Sequence, residues 1–295
     1  MQLVSTRPSH WFYVDWWLMN HCSWSCSYCH DVIKSGNIEL PYIVDCIRFV
    51  DQAVEYAKHF DKRPNINFTG GEVTEWANFA QLLEHADKNG CYTQFRSNAN
   101  LASDLWKDLL RFTNKVIMEV HPEYTQVSQF LIALNWAVQQ SEVQVNINMS
   151  RDRWDELLEL ETKIKSKWPQ VAVHRKMLFD DPVFNTSPQK YSVEQVVMLK
   201  SQTGDIRLID QGNETITDYQ TIVLEGKNKF TGWQCMAGIE QVVVDAWGKV
   251  HRGHCRQGGY MGHIKDPEVF WYPMPRVCKL EICRNAFDIL ASKSS

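Results

Sequence analysis

Three cysteines stand close together near the start of the sequence. Cys22, Cys26 and Cys29 lie in the stretch HCSWSCSYCHD with the spacing CxxxCxxC. A loop can bend thiolates at this spacing toward one metal centre, and iron–sulfur clusters are held by such thiolates. Three protein ligands would leave one iron of a cubane cluster open to a small molecule. The alternative is a zinc site with His30 as its fourth ligand, although zinc sites usually pair CxxC with a second such pair.

A second group of cysteines lies toward the other end of the chain. The segment IEQVVVDAWGKVHRGHC (239–255) predicts two strands joined at residues 245–249, with Gly248 in the turn. Such a hairpin would bring its two ends together, so four thiolates could meet at one cluster. Zinc bound with the help of His251 and His254 is the alternative. The group consists of Cys235, Cys255, Cys278 and Cys283.

The composition restricts the possible functions. The chain has 295 residues, a formal net charge of -4 and no run of five or more like charges, so it lacks the basic surface expected of a nucleic-acid-binding protein. No signal peptide and no stretch of about 18 apolar residues is present. These features predict a cytoplasmic protein whose nine cysteines stay reduced. Cys46 and Cys91 fall in a predicted helix and at the start of a predicted strand, where we expect buried core thiols.

Strand-like and helix-like segments alternate over the first two thirds of the chain. This alternation predicts repeated βαβ units around a parallel sheet, and six units fit an open partial (β/α)6 TIM-like barrel. The predicted strands are 11–18, 65–69, 91–98, 115–121, 143–149 and 171–179. The predicted helices are 43–60, 75–90 with a stop at Gly90, about 103–112, 125–139, 153–168 and 192–201.

A turn-rich stretch, DDPVFNTSPQK (180–190), divides this region from the rest of the chain. Beyond the helix at 192–201 the remaining sequence alternates in the manner of β-strands. We therefore predict an α/β barrel domain over residues 1–185. The second predicted unit, over 186–295, contains a linker and a small α+β domain that carries the second cysteine group.

The cysteines near the start follow the first predicted strand, so they lie at the carboxyl end of the barrel, where such folds build active sites. CSWSCSYC, with Tyr28 before its last cysteine, resembles the cluster motif of the radical S-adenosylmethionine (radical SAM) superfamily. FTGGE (68–72), after the second strand, resembles the GGE motif of that family. The resemblance implies a [4Fe-4S] cluster on Cys22, Cys26 and Cys29 whose open iron binds the amino and carboxylate groups of SAM.

The resemblance also implies a set of SAM contacts at the ends of the strands. GGE would receive the SAM ammonium group, and RSNAN (96–100) resembles the polar element after the third strand. Polar residues ending later strands would contact the ribose and carboxylate, and the sixth strand offers His174, Arg175 and Lys176 for this. The predicted SAM-binding residues are Tyr28, Thr69, Gly70, Gly71, Glu72, Ser97, Asn98, Glu119, His121, Asn148 and Lys176.

The second cysteine group resembles a twitch domain, the shorter relative of the SPASM domain, in GWQCMAGIEQVVVDAWGKVHRGHC and CKLEIC. Both domains bind auxiliary iron–sulfur clusters. The resemblance implies one auxiliary [4Fe-4S] cluster ligated by Cys235, Cys255, Cys278 and Cys283. Such a cluster has no open iron, so electron transfer is its expected task, with a structural role as the alternative.

The expected reaction is reductive cleavage of SAM to a 5'-deoxyadenosyl radical that abstracts hydrogen from a substrate. The first substrate class is a small molecule, which an oxidoreductase of this kind would oxidise or rearrange. The second is a ribosomally made peptide; only 21 residues precede Cys22, so no fused leader-binding domain is expected. A flavodoxin or ferredoxin would donate electrons. A non-catalytic iron–sulfur electron carrier is the alternative from another class, and Trp24 is expected to shield the cluster.

Overall fold

The computed structural model describes residues 1–100, 103–181, 188–200, 202, 204–272 and 274–295. Part of the predicted linker, residues 182–187, lies outside the described residues. In the described part of the chain, no helix has the length and apolar character needed to cross a membrane.

Strands and helices alternate through the first two thirds of the chain as predicted. The strands of this part are β1 (Gln2–Ser5), β2 (Trp11–Met19), β3 (Arg63–Gly70), β4 (Tyr92–Ser97), β5 (Lys115–Val120), β6 (Glu142–Met149) and β7 (Ala172–Met177). The helices are α1 (Ile43–Lys58), α2 (Phe79–Lys88), α3 (Ser103–Leu110), α4 (Val127–Ala137), α5 (Trp154–Lys167) and α6 (Val193–Lys200).

The later part of the chain consists of short strands with two further helices. The strands are β8 (Ile206–Asp210), β9 (Asn213–Thr217), β10 (Gln234–Cys235), β11 (Gln241–Val244), β12 (Lys249–His251), β13 (Tyr260–His263), β14 (Arg276–Val277) and β15 (Lys293–Ser294). The helices are α7 (Tyr219–Leu224) and α8 (Ala286–Ile289). Neither helix is expected from the β-like alternation of this region.

Strands β2 to β7 lie side by side in chain order, and each pairs in parallel with the next. The predicted six-stranded partial barrel is therefore confirmed. One face of the strands packs against the helices through buried apolar residues such as Val14, Ile66 and Phe95. Side chains alternate between the two faces along a strand. The residues next to these apolar ones in sequence, among them Asp15 and Arg96, therefore belong to the inner face. The barrel interior is therefore polar.

The C-terminal region extends the barrel sheet. Strand β11 pairs in parallel with β2, and β12 and β13 continue the sheet in antiparallel fashion. The predicted hairpin is confirmed, with Gly248 at φ +77° in its turn. The nine-stranded sheet thus runs in the order β13-β12-β11-β2-β3-β4-β5-β6-β7.

A second sheet joins the two ends of the chain. Its order is β14-β10-β15-β1-β8-β9, and Gln2 of β1 pairs with Ser294 of β15. The predicted boundary at residue 185 does not coincide with the division between the sheets. Strand β1 lies in the sheet of the C-terminal region, whereas β11 to β13 lie in the barrel sheet. Pairing between residues nearly 300 positions apart leaves no local pattern in the sequence, so the boundary drawn from composition could not include it.

Gly70 and Gly71 bring the end of β3 against the chain that leaves β2. The N–H of Gly71 donates to the carbonyl of Met19 at 2.7 Å, and the N–H of Glu72 donates to the carbonyl of His21 at 2.8 Å. A Cβ atom on Gly71 would lie 1.9 Å from the His21 carbonyl oxygen, and Gly70 has a φ of +119°. The two glycines are needed because this approach leaves no room for a side chain.

Replacement of Gly71 by alanine should destabilise the protein. The new methyl group would collide with backbone rather than with a movable side chain, so we expect a loss of about 3 kcal/mol or more in the free energy of unfolding. Chemical denaturation measures this loss. Gly226→Ala is the control, because Gly226 has a φ of +65° but a Cβ atom on it would have no neighbour within 4 Å; it should cost only about 1 kcal/mol. Equal losses would refute the steric argument.

Candidate functional site

The loop that carries Cys22, Cys26 and Cys29 follows β2 and is tied to neighbouring elements by carboxylates. Glu75, in the turn after β3, pairs with Nδ1 of His21 at 2.7 Å and accepts the N–H of Ser23 at 3.2 Å. Glu123, after β5, accepts the N–H of Ser27 at 2.8 Å. The loop is thus anchored from both sides at the carboxyl end of the sheet, the position that the sequence predicts.

The thiols of Cys26 and Cys29 lie close to His121. Their ligand atoms are within 4.8 Å of one another, and the sulfur of Cys26 is 3.5 Å from Nδ1 of His121. Cys22 does not belong to this tight group. His30 does not belong to it either. Its Nδ1 accepts the N–H of Val32 within the loop at 2.8 Å.

The three thiols differ in their electrostatic surroundings. Burial raises the pKa of Cys22 to about 11. A hydrogen bond with Cys29 and burial raise the pKa of Cys26. The same hydrogen bond lowers the pKa of Cys29, and the nearby ammonium groups of Lys176 and Lys34 lower it further. Cys29 is therefore the thiol most inclined to carry negative charge, which is the form that binds a metal.

Aromatic rings cover His121 and the cysteine loop. Tyr28 stacks on His121 with an interplanar angle of 6°, and its hydroxyl is 2.9 Å from Nδ1. Trp24 meets His121 edge-on and stacks on Tyr124 with ring centroids 5.7 Å apart. Burial lowers the pKa of His121 to about 4, so its ring is neutral at pH 7. We call Trp24, Tyr28, His121 and Tyr124 the aromatic group.

Glu72 joins the ends of β3 and β4. Its carboxylate accepts hydrogen bonds from the hydroxyl of Thr74 at 2.5 Å and from the N–H of Asn98 at 2.7 Å. Burial raises its pKa in spite of these bonds. The hydroxyl oxygen of Ser97 accepts the N–H of Ala99, whereas the side-chain Nδ2 of Asn98 is buried and has no hydrogen-bond partner among the described residues. The FTGGE segment, in which Thr69 lies near the end of β3, is therefore beside an unused hydrogen-bond donor.

Glu119 is the centre of a polar network inside the barrel. It forms an ion pair with Arg96 at 2.7 Å and a longer one with Lys176 at 3.6 Å. The amides of Asn146 and Asn148 donate to it at 2.8 and 3.3 Å. Burial alone would raise the pKa of Glu119, but Lys176 and Arg96 hold it at about 2. The network places fixed charges and amide donors at the carboxyl ends of β4 to β7.

This network contains predicted and unpredicted members. Glu119, Asn148 and Lys176 are brought together as the sequence implies. The sequence motifs do not predict Arg96 as a site residue. It stands two residues after Gln94 on β4, so both side chains face the inside of the barrel. Arg175 was offered as a strand-end contact, and this is wrong: it points outward and pairs with Glu161 of α5 at 2.7 Å. Its parity is opposite to that of Lys176.

The second cysteine group gathers around the C-terminal sheet. Cys235 lies on β10, opposite Arg276 of β14 and Lys293 of β15, and the other three thiols lie in loops. Burial raises the pKa of Cys255 to about 12. Burial also raises the pKa of Cys235 and of Cys283, and each of these thiols is close enough to another cysteine to be affected by its charge. The four residues thus share one neighbourhood, as predicted.

The two histidines beside Cys255 are engaged with carboxylates. Nε2 of His254 lies 2.7 Å from Asp15 on β2, and Nε2 of His251 lies 3.2 Å from Asp245. Neither histidine is near enough to three thiol or carboxylate ligands to form a compact ion site within the described chain. The pairing of His254 with Asp15 was not foreseen from sequence. It connects the loop of Cys255 to the barrel interior.

The ion pair between Arg96 and Glu119 should make stability depend on pH. The folded-state pKa of about 2 is below the ordinary value of 4.5, so the contribution of Glu119 is complete above pH 4.5 and is lost as the pH falls toward 2. Glu119→Gln should cost about 3 to 5 kcal/mol at pH 7, because Arg96 loses its buried partner, and less at pH 3.

Chemical denaturation of both proteins at the two pH values measures this difference. Glu84→Gln is the matched control, since Glu84 pairs with Lys88 at an exposed position of α2. It should leave unfolding nearly unchanged at either pH. A cost of Glu119→Gln that is the same at pH 3 and pH 7 would contradict the assignment of the low pKa.

No protein-family model and no curated protein matches this chain. Solved structures do match. Streptococcus suis SuiB bound to precursor peptide SuiA has a TM-score of 0.56 at 12% identity, over 88% of this chain and 64% of SuiB. The same protein bound to S-adenosylmethionine has a TM-score of 0.55 at 13% identity, over 88% and 62%. Native anSMEcpe with bound AdoMet has a TM-score of 0.57 at 14% identity, over 87% and 78%.

The chain thus spans less than two thirds of SuiB. At identities of 12 to 14% the likeness concerns the fold. SuiB and anSMEcpe each have a structure with bound S-adenosylmethionine, and the fold that the cysteine and GGE motifs imply is confirmed. The chain has the fold of the radical SAM enzymes.

Proposed function

We propose that this protein is a radical SAM enzyme that holds a [4Fe-4S] cluster on Cys22, Cys26 and Cys29. The observation that carries the proposal is the position of the cysteine loop. It stands at the carboxyl end of β2, bonded through the backbone to the glycine turn of β3. It also borders the polar network around Glu119 through Lys176, which acts on both Cys29 and Glu119. SAM and substrate would meet there.

The thiols suit such a cluster. Cys26 and Cys29 face the same space but lie closer together than the ligands of a cubane cluster, so binding the cluster would move their sulfur atoms apart. Cys22 is near enough to Cys29 to be affected by its charge. His121 is neutral and shares its Nδ1 with the Tyr28 hydroxyl, so we assign it a contact beside the cluster. When bound and reduced, the cluster would supply the electron that cleaves SAM to methionine and a 5'-deoxyadenosyl radical.

The residues around the cysteine loop would bind and orient SAM. Within the described ranges the buried amide Nδ2 of Asn98 has no hydrogen-bond partner, and such a donor suits a carboxylate oxygen. The glycine turn holds Glu72 close to the cysteine loop through backbone hydrogen bonds. Lys176 and Glu119 supply opposite charges on the inner face. The aromatic group covers the loop on the side of β5 and would exclude water.

The C-terminal thiols suit a second cluster better than a single zinc ion. In tetrahedral zinc sites with Zn–S bonds of about 2.3 Å, the sulfur atoms lie roughly 3.8 Å apart. All four C-terminal cysteines are described, and no three of their sulfur atoms lie within 4.8 Å of one another. A cubane cluster separates its ligands more widely. We propose an auxiliary [4Fe-4S] cluster on Cys235, Cys255, Cys278 and Cys283, with electron transfer as its role.

The substrate proposed first is a small polar molecule, which the enzyme would oxidise or rearrange. The charges of Arg96, Glu119 and Lys176 inside the barrel favour a polar ligand. A peptide substrate is the second candidate, favoured by the likeness to SuiB, which binds a precursor peptide. Faster release of 5'-deoxyadenosine on addition of a peptide encoded beside this gene would favour the second. A flavodoxin or ferredoxin in the cytoplasm is the proposed electron donor.

Anaerobic reconstitution tests the cluster assignments. We expect about eight iron atoms per chain for two [4Fe-4S] clusters, and about four when Cys22, Cys26 and Cys29 are replaced by alanine. Cys46→Ala and Cys91→Ala are the controls, because both thiols are buried core residues with pKa values raised to about 12 by burial. They should keep the full iron content. An iron content unaffected by the triple replacement would refute the first site.

Incubation with dithionite and SAM then tests the reaction. The protein with both clusters should release 5'-deoxyadenosine even without substrate, and the triple alanine variant should not. Complete absence of 5'-deoxyadenosine from the reconstituted protein would favour the non-catalytic electron carrier.

Trp24 should protect the first cluster from oxygen. Its ring stacks on Tyr124 and meets His121, so it covers the loop between Cys22 and Cys26. We expect the first cluster of Trp24→Ala to bleach about tenfold faster in air, which corresponds to a loss of about 1.4 kcal/mol in the barrier to oxidation. The visible absorbance of the reconstituted protein measures the bleaching rate. Trp247→Ala is the control, since Trp247 is exposed in the β11–β12 turn. Equal bleaching rates for the two variants would refute the shielding role.

A further inference from the structure

Two buried cations stand beside the four C-terminal cysteines. Arg252 is 2% exposed and Lys293 is 4% exposed. Lys293 lies directly opposite Cys235 in the pairing of β10 with β15. The guanidinium of Arg252 donates to the backbone carbonyl of Cys235 at 3.3 Å. Both cations therefore flank the same cysteine.

The ammonium group of Lys293 is held by backbone alone. Its Nζ donates to the carbonyls of Asp288, Ile289 and Ala291 at 2.6, 3.1 and 2.7 Å, and it lies over the ring of Phe230. Three carbonyls satisfy its three hydrogen atoms but do not neutralise its charge. Over the part of the chain that is described, no carboxylate forms an ion pair with Lys293 or with Arg252.

The chain makes room for Arg252 with two glycines. A Cβ atom on Gly238 would lie 2.8 Å from Cγ of Arg252, and one on Gly258 would lie 2.6 Å from its Cδ. Both glycines have positive φ values, +92° and +91°. The side chain also donates to the carbonyl of Met274 at 3.3 Å. Its position is therefore fixed by the surrounding backbone.

Thiols are among the acidic groups that surround these cations. Burial lowers the pKa of Arg252, and the thiols of Cys235 and Cys255 act in the opposite direction. Burial raises the pKa of Cys283, and Lys293 opposes that rise. Asp288 is the carboxylate of this neighbourhood, and it accepts the N–H groups of His254 and Cys255 at 2.9 and 2.7 Å.

Burying a cation is costly unless a negative charge compensates it. Among the described residues, Asp288 is the one carboxylate that acts on these thiols, so the two cations are in excess, and protonated thiols add no negative charge. A cubane cluster held by four thiolates is an anion, because the thiolates outweigh the positive charge of the core. Its one-electron reduction adds further negative charge, which buried cations stabilise strongly in a medium of low dielectric constant.

We propose that Arg252 and Lys293 compensate the charge of the auxiliary cluster and raise its reduction potential. This inference rests on the auxiliary cluster of the proposed function. The two residues would not bind iron. Their positive charges would lower the energy of the reduced cluster. Together they make the cluster a better electron acceptor than its four thiolates alone would make it.

Reduction potentials test the proposal. Only the auxiliary cluster should remain when Cys22, Cys26 and Cys29 are replaced by alanine, and its potential is measured by anaerobic redox titration followed by electron paramagnetic resonance. This triple alanine variant is the parent protein for the comparison. In it, Lys293→Met and Arg252→Met should each shift the one-electron equilibrium about tenfold toward the oxidised form, so that the reduction potential becomes about 59 mV more negative. Arg252→Lys keeps the charge and should stay close to the parent.

Lys279→Met is the matched control. Lys279 is exposed and directly follows the ligand Cys278, so its charge is screened by water. Its loss should leave the potential nearly unchanged. An unchanged potential in both Lys293→Met and Arg252→Met, each with about four iron atoms bound, would overturn the proposal. A shift in Lys279→Met as large as in Lys293→Met would also overturn it.

Loss of the cluster is informative as well. If both methionine variants fail to hold iron while Arg252→Lys holds it, the charge is needed for the cluster and the proposal is supported. If Arg252→Lys also fails, shape rather than charge is responsible and the proposal is overturned. Absence of iron from the triple alanine parent itself would reject the auxiliary cluster of the proposed function, and this inference with it, before any potential is compared.

Discussion

The structure of the site depends on one close approach of backbone to backbone. In the turn after β3, the N–H groups of Gly71 and Glu72 donate to the carbonyls of Met19 and His21 at 2.7 and 2.8 Å. This contact holds the start of the turn against the chain that leaves β2, and the carboxylate of Glu75 then holds His21 and Ser23. The cysteine loop begins there. The pairing of the first two barrel strands therefore determines where the cysteine loop lies.

On the inner face of the barrel, ion pairs and side-chain hydrogen bonds, rather than backbone contacts, position the polar residues. Parallel strands present their carboxyl ends at one edge, so Arg96, Glu119, Asn148 and Lys176 meet although they are far apart in sequence. A carboxylate with a pKa of about 2 keeps its charge throughout the physiological range. The network gives the space beside the thiols fixed polarity, which a pocket for a zwitterionic ligand such as SAM requires.

Much of this arrangement could be predicted from sequence because it follows from local patterns. The six barrel strands, the Gly248 turn and the burial of Cys46 and Cys91 are confirmed. The pairing of β1 with β15 could not be predicted, since it joins the two termini. Arg175 was misplaced because a strand-end position does not reveal which side of the sheet a side chain faces; counting parity from Lys176 would have placed it outward.

The least predictable feature connects the two halves of the molecule. Asp15 stands on β2, in the strand that leads to the cysteine loop, and His254 precedes Cys255. Burial opposes charge on both groups, but their shared hydrogen bond raises the pKa of His254 and lowers the pKa of Asp15. Both shifts favour the charged forms of this buried pair. Separating β2 from the C-terminal loop would leave each charge without its partner, at a cost of several kcal/mol. Together with the pairing of β11 to β2, this cost holds the two groups of thiols at a fixed relative position.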